Sequence, residues 1–169
     1  MFNRISVDEG GEKQRRVEAS LLLLAQKCLM DLGAGEVIKN SRTTKGFLEN
    51  TAEIISRNFP VRSHDHSLSD QLIFEMEAGE TDCRLSATAM GLVMIASGFF
   101  DSAALVCKPG KGLHIGVVGK RENEMFRVDF LDDQKGYNVR DYSSGQLIGK
   151  SVFDLNSKGI LALDKAMNR

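Results

Sequence analysis

Three residues have the types and the order for nucleophilic amide chemistry: Cys83, His114 and Asp129. A cysteine sulfur attacks a carboxamide carbon when an imidazole takes its proton, and a carboxylate on the far imidazole nitrogen holds the ring in the useful tautomer. Such a set needs no metal or organic cofactor, and none is expected. It does require three separate elements to deliver three side chains to one place, so the elements come next.

Cys83 lies near the start of an apolar, alanine-containing run from Thr81 to Gly98. Thr81 or Asp82 can cap its first turn and Gly98 can take the left-handed conformation beyond its end, so the run predicts one buried helix. The first turn of a helix carries unpaired N–H groups and the positive end of the dipole, both of which favour thiolate over thiol.

Beyond Gly98 the apolar period shortens. Ala103 to Lys108, Leu113 to Gly119 and Glu124 to Leu131 predict strands, separated by turns at Pro109–Gly112 and Lys120–Asn123. If Gly119 and Glu124 close the second turn, His114 stands directly opposite Asp129. Their face also carries Gly116, and the opposite face collects Leu113, Ile115 and Val117 with Phe126, Val128 and Phe130. The Cys83 helix, packed over Gly116, then completes the set. A rival nucleophile is Cys107, which lies opposite His114 if Pro109 and Gly112 close the first turn. It has no helix terminus to support a thiolate, so packing is the expected role of Cys107.

Upstream, Val17, Leu21, Leu24, Cys28 and Leu32 recur at helical spacing from Glu12 until Gly33, with Cys28 as a packing residue. A second helix is expected from Thr44 to Asn58, stopped by Pro60. Leu68 to Ala78 and Ser157 to Met167 each predict a short helix, and Gly136 to Val139 a fourth strand. His64, Asp65 and His66 could touch a metal but offer no convincing full ligand set, so that segment reads as a polar loop. Helices first and an antiparallel sheet afterwards give an α+β class.

With 169 residues, 42% of them hydrophobic, the chain can bury one core, expected over 12–169 with residues 1–11 loose. A net charge of −1 gives no bulk attraction to nucleic acid or an anionic membrane, so neither is expected as a partner. No apolar run approaches membrane-spanning length. The first six residues lack the apolar core of a secretory signal. Three cysteines are too few and odd in number for a disulfide framework. A soluble, cytosolic protein is expected, or one delivered to a host cytosol without a cleavable signal.

Cysteine at a helix start, then Gly112-Leu113-His114-Ile115-Gly116-Val117-Val118, then Phe126-Arg127-Val128-Asp129-Phe130, resembles the transglutaminase-like branch of the papain-like cysteine enzymes. The 15-residue interval from His114 to Asp129 is similar to that of the bacterial toxin and effector members, some of which deamidate a glutamine in a host protein. The likeness covers about Thr81 to Asp133; His114 is followed by Ile115 where an aromatic residue is usual nearby, and Gln71 is the nearest upstream glutamine for an oxyanion. The resemblance implies a papain-like domain with catalytic Cys83, His114 and Asp129, acting through a thioester on a glutamine-bearing protein partner by deamidation or transamidation. A cysteine protease is the alternative within that class. Outside it stand a chaperone or adaptor that docks through the apolar N-terminal helices, and a relative that binds without turnover.

Overall fold

The computed structural model describes residues 11, 12, 15, 16, 19, 21–59, 61, 83–108, 114–131, 136–141 and 151–154; of Cys107, Lys108, His114 and 151–154 it describes the backbone. The expected segments Leu68 to Ala78 and Ser157 to Met167, and the His64 to His66 loop, lie outside the described residues.

A mixed α+β architecture forms, with helices on one face of an antiparallel sheet. Helical residues 21–26 pass into a π-helical turn, Lys27–Asp31. Leu21, Leu24 and Cys28 face inward, and Gly33, at φ +82°, ends the run in the conformation that favours glycine. A seven-residue helix, α1 (Ala34–Asn40), follows at once; the sequence reading did not anticipate it. Helix α2 spans Thr44–Asn58 as expected. Thr43 caps it, the hydroxyl accepting from the Gly46 N–H at 3.1 Å, and Phe47, Leu48, Thr51, Ala52 and Ile55 form its buried stripe.

Helix α3 (Cys83–Ser97) is the centre of the domain. Eleven of its 15 residues are buried, so it is enclosed rather than merely docked. It lies against α2 on one side and against the sheet on the other. The Ser86 hydroxyl donates to the Phe59 carbonyl at 3.0 Å, and Gly98, at φ +72°, follows its end as expected.

Strands β1 (Ser102–Lys108), β2 (His114–Arg121), β3 (Glu124–Phe130), β4 (Tyr137–Asp141) and β5 (Ser151–Asp154) form one antiparallel sheet in the order β4-β3-β2-β1-β5. β1 is therefore an interior strand, because β5 returns to pair with its outer side. The face under α3 carries Leu105, Ile115, Val117, Phe126, Val128 and Phe130, in one core with Cys83, Met90 and Met94. Phe100 links the layers, with its ring centroid 6.1 Å from that of Phe47 and 6.4 Å from that of Phe126. Gly119 makes this approach possible: a Cβ there would sit 2.8 Å from the Phe100 ring and 3.0 Å from the Met94 sulfur. No helix among the described residues is long and apolar enough to cross a membrane.

The sheet corrects two expected registers. Arg121, not Gly119, lies opposite Glu124, so β2 runs two residues further and a two-residue turn, Glu122-Asn123, closes the hairpin. Glu122 takes φ +52°, a conformation costly for a residue with a Cβ. Its N–H donates to the Asp101 carboxylate at 2.9 Å, and the Asp101 N–H donates to the Lys120 carbonyl at 2.8 Å, which holds the turn tight. In the preceding hairpin, Lys108 lies opposite His114 and Cys107 opposite Ile115.

Candidate functional site

Cys83 is the first described residue of α3 and is 1% exposed; the expected caps Thr81 and Asp82 lie outside the described residues. Its neighbours in the core include Leu85 and Ala87, and the Arg84 beside it is also fully buried. The thiol therefore combines a helix start with enclosure.

Asp129 is buried on β3. With Val117 opposite Val128, the next step of the ladder sets Asp129 against Gly116, and its Oδ1 fills the space that a Gly116 side chain would take. Gly116 is thus no opening over the sheet but the seat of this carboxylate. Both Asp129 oxygens accept from the Arg127 Nε, at 3.1 and 2.9 Å, an ion pair buried at both ends. The acid expected to orient an imidazole is engaged by a guanidinium.

Strand alternation decides what these two residues can do for each other. Gly119 contacts Met94 of α3, so residues 115, 117 and 119 form the helix-facing row; Gly116 and Val118 form the far row, with Arg127 and Asp129 beside them. Val106 and Val118, on that far side, are buried but stand apart from the core around α3. Cys83 and Asp129 consequently lie on opposite sides of the sheet, which corrects the expectation that α3 packs over the Gly116 face. A nucleophile and its base must approach to about 2.6–3.2 Å, with the orienting group equally close to the base.

His114 opens β2 opposite Lys108, two residues from the register position that would face Asp129 directly; its side chain is outside the described part. The expected direct pair is therefore a diagonal one on the backbone, at about 7–8 Å between such positions. Cys107 is opposite Ile115, so the backbone does not set it across from His114 either.

No protein family, curated protein or solved structure matches the chain. The site has to be read from its own chemistry.

Arg127 is the residue that the sequence reading overlooked. The signal was present, since residues 127 and 129 of a strand share a face and an arginine two residues from an aspartate on a strand is placed to pair with it. The side taken by α3 was also legible in principle. A helix with an apolar surface packs on the apolar row of a strand pair, and that row is the one opposite Asp129.

Among the described residues, Cys28 and Tyr137 are shifted from their ordinary titration. Burial pushes the Cys28 thiol up to about 12, against a partial lowering by Lys27, so this cysteine stays protonated and packs, as its place in the helical stripe indicated. Tyr137, where β4 meets α2, is raised by burial and then by Glu53 and Glu49, with Glu53 hydrogen-bonded to its hydroxyl.

Proposed function

We propose that this domain acts by binding another protein, without turnover at the Cys-His-Asp set. The observation that carries this reading is the sheet between Cys83 and Asp129, together with the capture of Asp129 by Arg127. A surface for such binding is supplied by the first helix, where Leu22, Leu23 and Met30 are 60%, 52% and 78% exposed. Three of the four large apolar side chains exposed among the described residues belong to this one run. A clustered set of that kind differs from the scattered apolar residues found on any surface.

A second reading keeps its own support: Cys83 occupies the first position of a long helix, ahead of two paired strands that carry His114 and Asp129. In that reading Cys83 attacks a glutamine carboxamide, the thioester forms as the C–N bond breaks, and ammonia leaves with a proton delivered by His114. Water then hydrolyses the thioester to a carboxylate and returns the thiol. With an amine in place of water the same site transamidates, and with a backbone amide as substrate it is a protease.

One pair of measurements separates the two. Under the binding reading a thiol-directed probe labels Cys83 slowly, and a glutamine-rich protein keeps its intact mass after incubation. Rapid labelling confined to Cys83, with a gain of about one dalton per modified glutamine that vanishes in Cys83→Ala, would establish the hydrolase instead.

A further inference from the structure

The first helix presents a coherent outward face. Arg15, Ala19, Leu22, Leu23, Gln26, Met30 and Asp31 are all exposed and recur at helical spacing, the π-helical turn bringing Met30 and Asp31 round to the same side. Leu21, Leu24 and Cys28 of the same run are buried against the domain. The outward face is thus apolar in its middle, with Arg15 at its start beside an exposed Glu12–Arg16 ion pair, and Asp31 at its end.

We infer that the occupant of this face is a second copy of the chain, packed antiparallel about a two-fold axis through Leu23. The inference rests on the binding reading above and names the partner. Its basis is charge complementarity. Arg15 and Asp31 are each eight residues from Leu23, so an antiparallel copy centred there sets Arg15 against the other copy's Asp31, twice by symmetry. Parallel packing would instead oppose Arg15 to Arg15. Leu22, Leu23 and Met30 of both copies meet between the two charge pairs, where their apolar surface leaves water and the flexible methionine fills the gaps. Because the contact is isologous, it closes at two chains and forms no filament.

The test is the mass of the full chain in solution by light scattering, at concentrations up to about 100 µM, above the micromolar constants of weak interfaces. The wild-type chain is expected at twice the monomer mass. Leu23→Glu is expected to weaken the association about tenfold or more, because each dimer buries two copies of the new charge. Met30→Gln serves as a second variant, and both positions are exposed, so circular dichroism should show unchanged folding. Arg15→Glu weakens the dimer, Asp31→Arg weakens it, and the double variant recovers it. A monomeric wild-type chain, a dimer indifferent to Leu23→Glu, or a double swap that fails to recover overturns the inference. The binding reading fails separately, if Cys83-dependent deamidation is found, whatever the mass in solution.

Discussion

Gly116 and Gly119 stand on the same strand and look onto opposite faces of the sheet, and each is a glycine for a different reason. Under Gly119 the neighbours are an aromatic ring and a thioether, soft apolar groups pressed close to exclude voids. Against Gly116 lies a carboxylate held by a guanidinium, a pair whose geometry must be kept because the charges are buried. One face of the sheet is therefore organised by volume and the other by charge. On that second face Asp129 is paired with Arg127 at 2.9 Å.

The largest expected effect comes from breaking the charge pair. Asp129→Ala deprives the buried Arg127 of this carboxylate and should cost about 3–5 kcal/mol in a denaturant titration. Were Asp129 chiefly a catalytic group, the same change would leave stability nearly untouched.

Gly116→Ala comes next, at about 1–3 kcal/mol or somewhat above, because the new methyl meets Asp129 and lies 3.2 Å from the Arg127 Nε. Gly119→Ala is expected to cost less, because the Phe100 ring 2.8 Å from the new methyl can shift without unpairing a buried charge and the Met94 terminus can swing aside. Equal losses at the two glycines would erase the distinction between the faces.

A third measurement addresses the α3 side through Cys28. Its folded pKa is raised, so the stability from keeping the thiol neutral is fully present below the ordinary value of 9.0 and is lost as pH climbs toward about 12. Over that window the unfolded chain binds fewer protons, and stability should fall by about 1.4 kcal/mol per pH unit from this group. Cys28→Ala should flatten the alkaline slope. Tyr137, also raised, adds to the fall above its ordinary value of 10.0. The smallest effect is Asp101→Ala, which frees the Glu122 N–H in an exposed turn and should cost about 0.5–1.5 kcal/mol in thermal unfolding.

How much was legible in the sequence depended on whether a local rule had a unique solution. Helix α2 did, because Thr43 caps it and Pro60 blocks it, and α3 did, because Gly98 follows it. The β2–β3 hairpin did not. Apolar alternation fixes which residues share a face, and a shift of two residues leaves every face unchanged, so Arg121 opposite Glu124 and Gly119 opposite Glu124 satisfy the same pattern. Only the turn chemistry separates them, and it relies on Asp101, a residue on another segment. In β1 the run Ala103-Ala104-Leu105-Val106-Cys107 is apolar on both faces, so nothing in it resists a slip of one. The elements missed altogether, α1 and β5, span seven and four residues and take their support from neighbours rather than from local pattern. Three residue types in a familiar order say which chemistry could occur, whereas the face that α3 takes follows from the apolar row of the β2–β3 pair, a cue that residue order does not carry.

The return of β5 to β1 has a consequence for how the molecule is made. Leu105 and Val106 pair with Phe153 and Val152, residues more than forty positions later, so the meander from β1 to β4 exists for a time with a bare apolar border. Until Ser151–Asp154 arrives, that border is a template for any extended chain nearby. A shortened form ending before Ser151 should therefore precipitate as it is synthesised, while its helices remain intact.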